Sequence, residues 1–156
     1  MTSERYKRGW EKLKEVDGEA GEKVIASLKD IAPDLGRFTI EFPFGDIYTR
    51  PDLDLRSREI AVVAALTALG TAAPQLKVHI HGALNVGVTR EEVVGIITMM
   101  AVYAGFPAAL NGWLRQKRYL RNGTKKPDPI IIFCWFSSPF SPLQARRGPQ
   151  AGTRAP

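Results

Sequence analysis

The chain has one cysteine and two histidines among 156 residues. With Cys134 alone, an intrachain disulfide, a CxxC redox pair and a cysteine-based zinc cluster are all excluded, and a reducing cytoplasm suits such a sequence. A secretory leader is not expected either, because MTSERYKRGWEKLKEV is charged where an apolar stretch is required. The net charge of +6 invites a nucleic-acid reading, but no helix-turn-helix, zinc-finger or RNA-recognition pattern accompanies it. Its distribution also argues against one. Residues 1–30 carry seven basic and seven acidic side chains, residues 31–113 six and eight, and residues 114–156 nine and one, the one being Asp128. The excess belongs to the end of the chain and reads as a solvated tail, so no nucleic-acid partner is expected. One uncharged run, Val93 to Leu110, has the 18 residues at which a membrane span becomes conceivable. Gly105 and Pro107 break it, and Thr98 and Tyr103 lower its hydropathy, so a core helix is expected and no membrane.

What remains is a chain that is 44% hydrophobic, enough for one domain with a real core. Its pattern is helical throughout, and the expected fold class is all-α. Residues 3–15 and 19–31 form two charged amphipathic segments broken at VDG, and residues 33–38 a short turn-like piece. FPFGDIYTRPDLD reads as a loop. Asp54 caps a helix from Leu55 to Leu69 closed by Gly70, Thr89 opens another through a T-x-x-E capping box with Glu92 and runs to Gly105, and Pro107 starts a last helix that Asn122-Gly123 ends. IAVVAALTALG and VVGIITMMAVYAG are apolar nearly all round. Helices of that kind need burial on every side, which in a chain of this size predicts that subunits cover one another. Three regions follow: 1–43, an N-terminal helical region packing on the core; 44–122, the main domain; and 123–156, a tail rich in Pro, Ser, Gly and Arg that is expected to be disordered. Within that tail IIIFCWF reads equally as a short strand, as an apolar anchor on a neighbouring subunit, or as an unnatural extension of the reading frame.

Both histidines lie in QLKVHIHGALNVGVTREEV, as His79 and His81. On a strand they would share a face and chelate together; on a helix they lie about 200° apart. Leu76, Ile80, Ala83 and Leu84 mark one helical face, with Pro74 in the first turn and Gly87 as a stop, so this is a helix and a two-histidine metal site is excluded. His81 then projects toward the Asn85 side and reads as exposed. His79 sits at the margin of the apolar stripe, either as a core histidine satisfied by a carbonyl or as a functional group reaching a cavity.

Three segments together, FGDIYTRPDLDLRSREIAVVAALTALG, QLKVHIHGALNVGVTREEV and AVYAGFPAALNG, resemble the carboxymuconolactone decarboxylase family in order and spacing over roughly 70 residues. The resemblance implies an all-α alkylhydroperoxidase D-like fold assembled as trimers or hexamers, and one of two chemistries. The thiol peroxidase branch needs a CxxC pair before His79, where this chain has Ala72 and Gln75, and is excluded. The decarboxylase branch implies neither metal nor organic cofactor, because a substrate such as 4-carboxymuconolactone, a small lactone carboxylate, carries its own electron sink. Loss of carbon dioxide leaves a dienolate that is protonated at carbon to the enol-lactone of 3-oxoadipate.

That chemistry asks for cations to hold the substrate, donors where charge develops, and an acid. Arg50, Arg56 and Arg58 are the candidates for the first; each alone reads as a surface arginine, but Arg50 and Arg58 match positions typical of the family motif. The resemblance assigns His79 to the acid, oriented by Glu59, which otherwise reads as a carboxylate favoured near a helix start. Tyr103 and Asn111 are candidate pocket residues, or else packing and surface groups. The segment EEVVGIITM departs from relatives by placing Gly95 and Met99 at positions usually held by glutamate and histidine. The expected function is a decarboxylase of this lactone or of a related small unsaturated cyclic acid; the alternative is a non-catalytic oligomeric ligand-binding or scaffold protein.

Overall fold

A computed structural model describes residues 3–122; the expected tail, with IIIFCWF and Cys134, lies outside them. Every regular element among the described residues is helical. The first, α1, spans Glu4–Ser27, begins at Ser3, whose hydroxyl accepts from the Tyr6 amide, and is interrupted at Gly18 (φ 53°, ψ −140°). The expected break at VDG is therefore a kink inside one helix rather than a gap between two. The turn-like piece proves to be a helix, α2 (Pro33–Thr39). It runs directly into a π-helix, Ile40–Ile47, so only the second half of the segment read as a loop is one. Pro43 and Gly45 signal chain-breaking, but in the wider π turn the Pro43 carbonyl accepts from the Tyr48 amide (2.8 Å), and burial of Ile40 and Phe44 against α1 holds the turn in place.

The remaining helices follow their sequence signals. Asp54 caps α3 (Leu55–Leu69) by accepting from the Ser57 amide, and Gly70 at φ 66° closes it. Then come α4 (Ala73–Asn85), α5 (Arg90–Tyr103), with its capping box between Thr89 and Glu92 complete on both sides, and α6 (Phe106–Asn122). Val63, Leu76, Ile80, Ala83, Val93 and Ile97 from α3, α4 and α5 form the larger core; Leu13, Val16, Ile40 and Phe44 from α1 and the π-helix form a second. Fully buried aliphatic groups of this kind contribute roughly 1.5–3 kcal/mol each. Val86 packs on both clusters, at the junction of α1 and α4.

One face of α5 and α6 stays outside both cores. Met99, Val102, Tyr103, Phe106, Leu110 and Leu114 are all at least half exposed, Val102 reaching 79%. No helix among the described residues is long and apolar enough to cross a membrane.

Candidate functional site

Glu59 is fully buried on α3, one turn beyond the Asp54 cap. A buried carboxylate needs partners on both oxygens, and it has them. Its Oε1 accepts from the Tyr48 hydroxyl at 2.6 Å, and its Oε2 lies 3.1 Å from His79 Nδ1. Burial and the charge of Glu59 push the Tyr48 phenol up, so it remains a neutral donor. For His79, burial opposes the imidazolium, but the hydrogen bond and charge of Glu59, together with the charge of Asp17, outweigh it and raise the pKa above the ordinary value. Nδ1–H thus points to Glu59, and Nε2 is the ring nitrogen left for a ligand. The half-buried His79 is thus satisfied by a carboxylate rather than by the carbonyl anticipated for a core position.

A third group joins this pair from α1. Asp17 is 3% exposed, its Oδ1 accepts no hydrogen bond, and its ligating oxygen, that of Glu59 and a ring nitrogen of His79 all lie within 4.8 Å of one another. Burial first, and then the charge of Glu59, push its carboxyl up to about 7 against the opposing pull of His79. Two features of the backbone make room for it. The kink at Gly18, where Asn85 Nδ2 of α4 donates to the Val16 carbonyl (3.1 Å), carries α1 past the end of α4. Gly82 on α4 lets both carboxylates approach: a Cβ there would stand 2.6 Å from Asp17 Oδ1 and 3.1 Å from Glu59 Oε2.

Asp17 and His79 both line a cavity of about 920 Å³. Its walls are largely apolar, with Leu13, Val24, Leu28, Phe44 and Val78, while Lys23 and Lys29 are its basic groups. Gln75, at the position where a peroxidase would carry its second thiol, also lines it.

The arginines do not gather there. Arg50 is exposed, pairs with Asp52 (2.8 Å) and borders a separate hollow of about 610 Å³. Arg56 pairs with Glu92, tying α3 to α5. Arg58 is buried and donates to the Leu53 (3.1 Å) and Arg50 (2.9 Å) carbonyls, stapling the loop before α3. It meets the site at one remove, its guanidinium 6.0 Å from the centre of the Tyr48 ring. Tyr103, 78% exposed, and Asn111, also exposed, belong to the α5–α6 face and not to this cavity. Gly95 and Met99 are exposed on α5 and also lie apart from it.

His81 diverges from His79 as the helix requires, but it is half-buried rather than exposed. The second half of α1 covers it, and burial lowers its pKa. Asp17, Glu59 and His79 are also a donor set able to approach a cation, with one nitrogen and two oxygens. The His79–Glu59 hydrogen bond and the raised carboxyl of Asp17 equally equip the three groups to hold and move protons. The sequence reading named His79 and Glu59 and missed Asp17, Tyr48 and Gly82. The signal for Asp17 was its place beside the glycine that breaks α1.

Comparison with known proteins converges on one family. Residues 33–115 match the model described as the carboxymuconolactone decarboxylase family. A 4-carboxymuconolactone decarboxylase of Acinetobacter baylyi is 35% identical over 107 residues, 68% of this chain and 79% of that protein. An uncharacterized 15.0 kDa protein of Paracoccus denitrificans is 30% identical over 85 residues, 54% of this chain and 63% of its own length. A nitrosuccinic acid decarboxylase of Metarhizium robertsii is 28% identical over 89 residues, 56% and 61% of the respective chains.

Proposed function

Because the chain belongs to the carboxymuconolactone decarboxylase family, we propose that it is a cofactor-independent carboxy-lyase acting on 4-carboxymuconolactone or a related small unsaturated cyclic acid. The observation that carries this reading is the hydrogen-bonded His79–Glu59 pair at the wall of a half-open, largely apolar cavity. Decarboxylation places negative charge on the carbonyl oxygen of the bound acid. A protonated His79, held by Glu59 and backed by Tyr48, supplies a fixed cationic donor for that oxygen. The substrate's carboxylate has Lys23 and Lys29 within the cavity in place of the expected arginines. The relative that acts on nitrosuccinic acid indicates that decarboxylase chemistry in related chains is not confined to lactones.

The proposal includes assembly as a trimer or hexamer through the apolar α5–α6 face, with Tyr103 and Asn111 serving that interface or a partner's cavity rather than their own. The test is carbon dioxide release from a panel of unsaturated lactone and cyclic acids. At least one should turn over in the wild type and lose most turnover in His79→Gln; a panel without turnover, together with tight binding of the same acids, would favour the ligand-binding alternative.

A further inference from the structure

The reaction makes two simultaneous demands at different atoms. As the carbon–carboxylate bond breaks, its electron pair flows into the carbonyl, and the oxygen needs a donor. The pair then returns to carbon to form a new C–H bond, and that carbon needs an acid. His79 has one ring nitrogen left after Nδ1 is committed to Glu59. A single N–H that holds the oxygen cannot deliver its proton elsewhere without releasing it.

The cavity wall carries a second acid. We propose that Asp17 is the catalytic residue that protonates carbon, leaving His79 to hold the oxygen; the assignment rests on the decarboxylase reading above. Asp17 lines the same cavity as His79, approaches it from a different helix, and has a buried oxygen, Oδ1, with no hydrogen bond. A buried aspartate serving only the fold would have both oxygens satisfied. Gly82 holds open the space it occupies, and the neighbouring Glu59 and the apolar surroundings keep it protonated near neutral pH, pushed up to about 7. The groups facing it are Glu59 of α3 and His79 of α4, with Tyr48 behind Glu59. In balance, the substrate carboxylate leaves as carbon dioxide, the Asp17 O–H bond breaks as the C–H bond forms, and the Asp17 carboxylate recovers its proton from water before the next turnover. One proton from solvent is consumed for each carbon dioxide released.

The reverse of the protonation step can be read without any decarboxylation. In deuterium oxide, an Asp17 carboxylate should exchange the acidic carbon-bound hydrogen of an unsaturated lactone, followed by NMR on the full-length protein. Wild type should exchange it, and Asp17→Asn and Asp17→Ala, checked for folding by circular dichroism, should lose exchange by at least 100-fold. His79→Gln should slow it while leaving deuterium on one face of the carbon. Wild type that does not exchange, or a folded Asp17 variant that exchanges at the wild-type rate, overturns the assignment. So does exchange that is abolished by a chelator and restored by a divalent cation, since the three groups would then be metal ligands. If exchange follows this pattern while no acid in the panel releases carbon dioxide, the decarboxylase reading fails and the role of Asp17 as a carbon acid stands.

Discussion

His79 and His81 are two residues apart and lie in different electrostatic worlds, one drawn toward the charged form by Glu59 and Asp17, the other held neutral by burial. His79→Gln should therefore remove turnover by roughly 10²- to 10⁴-fold, as for loss of a general acid or its equivalent donor, while circular dichroism keeps its helical signal. His81→Arg should leave turnover within a few-fold, measured in the same assay. The pH dependence of stability carries a second signature. A histidine whose folded pKa is raised above its ordinary 6.5 stabilises the fold fully below that pH, and the contribution is lost as pH rises through the raised value. Glu59→Gln should flatten this decline in urea unfolding above about pH 6.5 and bring the His79 NMR titration down. Asp17, raised from 3.8 to about 7, gives a slope of the same sign but earlier, stability falling from about pH 4 to 7. At this scale the sequence was legible where helical spacing decides the matter. Helical spacing placed His79 at the margin of an apolar stripe and Glu59 near a helix start, and the family resemblance made candidates of them. Asp17 lies 42 residues before Glu59 in a charged amphipathic stretch, where an aspartate reads as solvent-facing, and only the packing of α1 on α4 brings it inside. The arginines were sound as cations, but Asp52 and Glu92 had already engaged Arg50, Arg58 and Arg56.

Caps, stops and the break in α1 were legible because each is local chemistry: a side-chain acceptor, a missing N–H, a glycine. The π-helix was not. Its Pro and Gly argue for a loop, and only the cover of α1 over Ile40 and Phe44 makes a wide turn worthwhile. The kink at Gly18 is the element most exposed to test. Its φ of 53° with ψ of −140° suits glycine alone, and Gly18→Ala should cost about 1–2 kcal/mol in urea unfolding through steric strain. Because Asp17 is the preceding residue, the same variant should disturb carbon-proton exchange more than it disturbs the His79 titration.

At the scale of the whole molecule, the two helices that read as apolar all round turn out to bury one side and expose the other. Exposed Val102, Phe106 and Leu114, with relative accessibilities of 79%, 73% and 70%, form a face unlike the surface of a monomer. Light scattering at micromolar concentration should give a trimer or larger, and Phe106→Glu should reduce the mass toward one chain while circular dichroism keeps its helical signal; a monodisperse wild-type monomer would refute this. The cavity has a further consequence, which concerns how the protein diverges. One wall, with His79, comes from the segment matched to the family, whereas the other, with Leu13, Asp17 and Val24, belongs to α1, outside residues 33–115. The family model thus says little about that part of the surface a substrate meets. Selectivity can be rewritten by exchanging one N-terminal helix while the inherited histidine–glutamate pair stays in place, and a chimera carrying a relative's α1 should change which acids fit before it changes how the oxygen is held.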